Sequence, residues 1–222
     1  MDKTKTIIIA ILATVIAVFV ILYIIGSQAP KATQAPTTTA TTGQQVPTTS
    51  STGQAAQAAE DLTQNFSEAS AGYVMSYPAD WMFEKPGASW DTVVFSGKEG
   101  TDSYRATVNI QNILTKSNGG EYATATELMA NLKSQFSKMD TNVKVIDEQP
   151  LSYMTKKGQT LNGDQVLVQY SVKGEAFQQW QIVIPSADGK YFHAIAYTAP
   201  VSIFTKYLAT AQAMIQSWSM NE

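Results

Sequence analysis

The chain has 222 residues, a formal net charge of −3 and no cysteine. That length holds one ordinary domain plus appendages, and the lack of thiols excludes a disulfide scaffold, thiol catalysis, Cys-based zinc sites and a lipid anchor on an N-terminal Cys. Basic residues are scattered singly except at Lys156–Lys157, so the basic stripe of a nucleic-acid binder is missing and that partner class is disfavoured.

Ile7 to Ile25 run without a charge, and only Thr14 and Tyr23 carry polar side-chain atoms. As a helix rising ~1.5 Å per residue, the run spans about 28 Å, close to the ~30 Å hydrocarbon core of a bilayer. Residues 7–25 are therefore expected to form a transmembrane anchor. Lys3 and Lys5 place residues 1–6 in the cytoplasm by the positive-inside rule and export everything after Gly26. The competing reading is a cleaved signal peptide. Against it, the apolar run exceeds the usual ~7–15 residues. The best cut, after Gly26-Ser27-Gln28-Ala29, would also leave Pro30 directly behind it.

Residues 26–59 read as a disordered tether. From Ala32 to Ala59 there is no charge, and Thr, Gln, Ala, Ser and Pro dominate. Such a segment buries too little apolar surface to offset the entropy of ordering it. Pro36, Gly43, Pro47 and Gly53 interrupt its Thr runs. Its composition suits O-glycosylation on an exported surface, and Asn65-Phe66-Ser67 has the form of an N-glycosylation sequon.

Residues 60–222 read as the soluble domain, with Gln54 to Phe66 expected as a weak Ala/Gln-rich helix leading into it. Short strands follow at Tyr73–Tyr77, Val93–Phe95 and Thr107–Leu114. In the last of these Val108 and Ile110 alternate with Asn109 and Gln111. A helix opens on Thr124-Ala125-Thr126-Glu127, a capping-box pattern, and carries a stripe of Leu128, Leu132, Phe136 and Met139. Later strands contain Val166–Val172, Trp180–Ile184 with Gln179 and Gln181 on the other face, and Tyr191–Thr198. Period-two alternation of this kind marks strands with one face wetter than the other. Asn162-Gly163, Lys173-Gly174 and Asp188-Gly189 are expected as tight turns, and short links imply antiparallel neighbours. A last helix, from about Ser202 to Trp218, has Phe204, Tyr207, Leu208, Ala211, Ile215 and Trp218 on one face. That face is expected to lie on the strands around Val166–Val172 and Trp180–Ile184. The fold class is α+β: an antiparallel β-sheet with helices packed on it, an αβα-type sandwich.

The order of these pieces resembles the PsbP-like superfamily over roughly Gly72 to Trp218. The resemblance is carried by Gly72-Tyr73-Val74-Met75-Ser76-Tyr77-Pro78-Ala79-Asp80-Trp81, by Leu161-Asn162-Gly163-Asp164-Gln165-Val166, and by Ala196-Tyr197-Thr198-Ala199-Pro200 leading into the last helix. It implies the fold. Family members do unrelated jobs, so a photosystem-associated role and calcium or manganese handling are suggested by the family name alone. No family metal ligand maps onto this chain, and the lipidated Cys of cyanobacterial members is missing.

Site chemistry is sparse. His193, the one histidine, sits in an alternating strand on the side of Tyr191, Ile195 and Tyr197, where a structural or surface role is expected ahead of catalysis. No Gly-x-Ser-x-Gly elbow, Gly-rich phosphate loop or His-x-x-x-His pair occurs. Asp91, Glu99 and Asp102 cluster loosely around a Gly-containing loop without EF-hand spacing and read as a solvated loop. Trp81, Trp180 and Trp218 read as core, whereas Trp90, in a Gly/Pro loop, is a possible exposed contact. No catalytic, cofactor-binding or metal-binding residue is assigned. The expected function is non-enzymatic: a single-pass, membrane-anchored, extracytoplasmic accessory or binding module acting through protein–protein contacts near the membrane. The alternative is a small-ligand or calcium-type metal carrier with a cleft beside the sheet.

Overall fold

The computed structural model describes residues 58–86, 91–140 and 142–220. The expected anchor at residues 7–25, all but the last two residues of the 26–59 tether, and Trp90 lie outside them. Among the described residues no helix is long and apolar enough to cross a membrane.

In chain order the elements are β1 (Gln64–Glu68), β2 (Tyr73–Tyr77), β3 (Trp81–Glu84), β4 (Thr92–Gly97), β5 (Thr107–Leu114), α1 (Ala125–Met139), β6 (Lys144–Met154), β7 (Thr160–Val172), β8 (Glu175–Pro185), β9 (Tyr191–Pro200), α2 (Val201–Ser217) and β10 (Ser219–Met220). Seven strands form one sheet in the order β3-β4-β5-β9-β8-β7-β6, with every neighbouring pair antiparallel. A small antiparallel sheet, β1-β2-β10, joins the two ends of the domain.

The two faces of the large sheet bury different partners, as period-two alternation requires. On one face Val93, Phe95, Val108, Ile110, Ile182, Ile184, Ile195 and Tyr197 meet Tyr73, Met75 and Tyr77 of the small sheet and Phe204, Tyr207, Ala211 and Met214 of α2. On the other, Leu128, Met129 and Phe136 of α1 pack on Val166, Val168 and Tyr170 of β7, Val183 of β8, and Phe192 and Ala194 of β9. The Phe136 and Tyr170 rings stack there at 5.4 Å. The α+β class and the helix on each face follow the sequence reading.

Local chemistry explains most of the connections. Thr124 Oγ1 accepts the Glu127 amide at 3.1 Å and starts α1. The Glu127 carboxylate reaches back to the Ala123 amide at 2.7 Å, one residue earlier than a reciprocal capping box requires. Lys173 and Gly174, at φ 51° and 86°, form the two-residue turn between β7 and β8, where both positions need positive φ. At Asp188-Gly189 the Ser186 hydroxyl donates to Asp188 at 2.7 Å and accepts the Tyr191 amide at 2.9 Å, closing the β8–β9 hairpin.

Four expectations are corrected. Gln54–Phe66 is not a helix over its described part: residues 58–63 are irregular and β1 begins at Gln64. Phe66 is drawn into the core beside Phe83 and Phe95, at ring separations of 4.9 and 5.3 Å, and the alternation of a strand puts it there. Asn162-Gly163 is not a turn; it lies inside β7, and the reversal falls at residues 155–159, closed by the Thr155 amide on the Gln159 carbonyl at 2.9 Å. Gly163 is required for a different reason, because a Cβ there would collide with the Val183 carbonyl oxygen of β8. The sequence reading contained no strand at β6, an edge strand whose side chains are mostly half-buried or exposed and carry little alternation. Finally, α2 lies on β8, β9 and β2. The alternating Val166, Val168 and Tyr170 side chains face α1 instead, so only the Trp180–Ile184 half of that docking expectation holds.

Candidate functional site

His193 and its neighbours sit where the two sheets and the end of α2 meet. Register places His193 on β9 directly opposite Asn112 on β5, and His193 Nδ1 bonds Asn112 Oδ1 at 2.8 Å. The ring is fully buried, against Tyr73 at 5.6 Å and Trp218 at 5.2 Å between centroids. Burial pushes the imidazole down to about 4, outweighing the opposing pull of the Asp188 charge. An amide therefore occupies the position that a catalytic triad gives to a carboxylate, and the imidazole is held neutral. The expected structural role is the one this geometry supports, in the core rather than at the surface.

The three acidic residues of the loop reading do not converge. Asp91 precedes β4, whereas Glu99 and Asp102 follow its far end, about 20 Å along the strand. Asp102 pairs instead with Lys206 of α2 at 2.9 Å. Among the described residues no group of three or more His, Asp or Glu side chains could hold a metal ion. Trp81 and Trp218 are buried and Trp180 is half-buried against the core. Trp90, the possible exposed contact, lies outside the described residues.

A second polar region lies on the α1 face of the large sheet, beside the apolar residues of β7, β8 and β9 that α1 covers. The register lines up Met82, Ser96, Thr107, Thr198 and Gln179 in one row across β3, β4, β5, β9 and β8. Glu84, Val94, Asn109, Ala196 and Gln181 form the next. Both rows then run into Val168 and Val166 beneath α1. Along these two rows the valines of β7 give way to glutamines on β8. A hydrogen-bond chain marks the boundary: Tyr170 Oη donates to Gln179 Oε1 at 3.1 Å, Gln179 Nε2 to Gln181 Oε1 at 2.8 Å, and Gln181 Nε2 to the Ile195 carbonyl at 3.1 Å. Beyond it Thr107 Oγ1, Asn109 Oδ1 and Thr198 Oγ1 are buried with no hydrogen-bond partner. Thr107 and Thr198 are directly opposed and Asn109 lies two residues along from Thr107 on β5. Buried polar atoms ordinarily have partners, so this cluster has the chemistry to receive hydrogen-bond donors. It holds no ionisable group except Glu84, at the exposed end of its row. The alternation of Thr107, Asn109 and Gln111 with Val108 and Ile110 was the sequence signal for this face, read only as the wetter side of a strand.

Large exposed apolar side chains stand at both edges of the sheet, Val145 and Met154 on β6 at one and Met82 and Phe83 on β3 at the other. Met82 and Phe83, 46% and 43% exposed, are neighbours on β3. That strand is four residues long and is an edge of the large sheet. Phe83 keeps one side on Phe66, Tyr77 and Phe95.

Neither a protein-family model nor a curated protein sequence matches the chain. Solved structures do. Cyanobacterial PsbP (CyanoP) from Synechocystis sp. PCC 6803 superposes with a TM-score of 0.50 at 15% identity, covering 71% of this chain and 91% of that one. The Ran-binding protein Mog1p of Saccharomyces cerevisiae gives a TM-score of 0.50 at 8% identity, covering 73% of this chain and 97% of its own. Identities this low speak to architecture alone. The described domain has the PsbP/Mog1-type fold, as the aromatic and turn motifs of the sequence implied.

Proposed function

We propose that the chain is a non-enzymatic binding module, held by a single-pass anchor at residues 7–25 and a tether at residues 26–59, with its folded domain outside the cytoplasm. The orientation rests on Lys3, Lys5 and the uncharged run that follows them. Protease added to intact cells or spheroplasts should digest the domain; protection would refute the topology. Release of a product beginning after Ala29 would favour the cleaved signal peptide.

The partner in this reading is an extracytoplasmic protein. The observation that carries it is the exposure of Met82 and Phe83, one on each face of the edge strand β3, where apolar side chains flank unpaired backbone groups. By contrast β6, the other edge, is interrupted by Pro150 and a register shift between Val145 and Asp147, features that discourage strand addition. A photo-crosslinking amino acid placed at Met82 should capture one partner in native membranes. The same probe at Met154, 71% exposed on β6, serves as the control. Equal yields at the two positions would refute the β3 surface.

A second reading, a small-ligand carrier, is favoured by the three unpaired oxygens of Thr107, Asn109 and Thr198. They suit a neutral or cationic ligand that presents several donors, and a ligand there would leave β3 crosslinking unchanged. The Ran-binding and cyanobacterial PsbP names belong to the structural neighbours. A photosystem-associated role for this chain rests on family resemblance alone.

A further inference from the structure

The core between the two sheets contains a second set of buried polar atoms without partners: Tyr73 Oη, His193 Nε2 and Trp218 Nε1. Their side chains are 0%, 0% and 2% exposed. The three rings are in mutual contact, with centroids 5.6 Å apart for Tyr73 and His193, 5.2 Å for His193 and Trp218, and 6.1 Å for Tyr73 and Trp218. Each comes from a different part of the fold: β2 of the small sheet, β9 of the large sheet, and the residue that ends α2.

Their hydrogen-bonding capacities would allow them to bond in series, but no direct bond of normal geometry joins them, which leaves one small molecule between them as the common partner. With His193 Nδ1–H donating to Asn112 Oδ1, Nε2 is a bare acceptor. Trp218 Nε1–H can only donate, and the Tyr73 hydroxyl does either. The Asn112 side chain also acts on the Tyr73 hydroxyl, although no bond of normal geometry joins them. Interior waters characteristically make about three hydrogen bonds to polar groups of this kind. We propose that Tyr73 Oη, His193 Nε2 and Trp218 Nε1 together bind a single buried water molecule that joins the two sheets to the end of α2. The water accepts from Trp218 Nε1–H and donates one proton to His193 Nε2; its other proton goes to Tyr73 Oη, or the Tyr73 hydroxyl donates to the water oxygen.

The test uses the full-length chain in detergent micelles, labelled with 15N at the tryptophan indoles. The Trp218 signal is assigned by its loss in Trp218→Phe. In the parent, the Trp218 indole proton should show a cross-relaxation peak to water with the sign of a long-lived bound molecule. The peak should be lost in His193→Phe, and Tyr73→Phe should reduce it while preserving the ring packing. Absence of a water peak in the folded parent would overturn the proposal, whatever the variants do. So would a parent spectrum in which the indole proton contacts the His193 ring and no water.

Discussion

Replacing His193 with Phe tests whether the core holds this imidazole neutral. Its titration is pushed from 6.5 down to about 4 by burial. In the unfolded chain the same group takes up a proton near its ordinary value. Between these two limits the unfolded state binds one more proton than the native state, so stability falls as pH drops from about 6.5 towards 4. Above that window the term vanishes, and below it both states are protonated and the loss levels off. At about 1.4 kcal/mol per pH unit, the parent should lose about 2–3 kcal/mol from this residue between pH 7 and pH 4.5. That is a large share of a typical domain stability of ~5–15 kcal/mol. Carboxylates with lowered values, such as Glu68 and Asp188, add acid sensitivity of their own, but the variant retains them. Urea unfolding of residues 58–222, followed by tryptophan fluorescence at several pH values, isolates the difference between parent and His193→Phe. The variant also leaves Asn112 without its His193 contact, a cost that does not depend on pH. Parallel stability curves between pH 7 and 4.5 would refute the buried neutral imidazole.

Three further outcomes are expected. Trp218→Ala removes a side chain packed on Tyr73, Tyr153 and His193 and should cost about 3–5 kcal/mol, read as a fall in Tm of about 10 °C for a domain of this size. The fragment must begin at residue 58, because β1 pairs with β2 and the Glu60 carboxylate accepts Trp81 Nε1 at 3.0 Å. Gly163→Ala forces β7 away from the Val183 carbonyl and should destabilise the domain by about 1–3 kcal/mol, whereas a glycine needed only for a turn would show its effect at Gly158 instead. Lys85→Met leaves the buried Glu68 carboxylate without its 2.5 Å partner and should cost about 1–3 kcal/mol at neutral pH. That loss should shrink in acid as Glu68 is protonated, and a pH-independent loss would point to the lost contact of the Lys85 ammonium with the face of the Phe66 ring.

The elements that were legible in the sequence are those whose signal is local. The α1 stripe needs only a 3.6-residue period and a cap, and Lys173-Gly174 needs only two positions that tolerate positive φ. Asn162-Gly163 offers the same dipeptide signal, yet it lies in the middle of a strand of 13 residues. The glycine answers to a backbone from β8, some twenty residues away in sequence, and no turn propensity encodes that. β6 was missed for the opposite reason: an edge strand with one half-wet face has no apolar alternation to read.

The candidate site exposes the same limit more sharply. Alternation correctly put Asn109 and Gln111 on the face opposite Val108 and Ile110, and Gln179 and Gln181 opposite Ile182 and Ile184. A period of two states which residues share a face of one strand; it does not state which strands are neighbours. Only the order β5-β9-β8 brings Thr107, Thr198 and Gln179 into one row and sets Asn109 beside Ala196 and Gln181. Polar residues scattered over ninety positions of sequence become one surface through non-local pairing. The same holds for Tyr73, His193 and Trp218, which look like three core aromatic residues when read one at a time. Their unpaired atoms acquire meaning only when strand order and the last turn of α2 bring them together. In an antiparallel α+β domain without a loop motif, the functional chemistry is therefore to be sought in cross-strand rows and in buried polar atoms that lack partners.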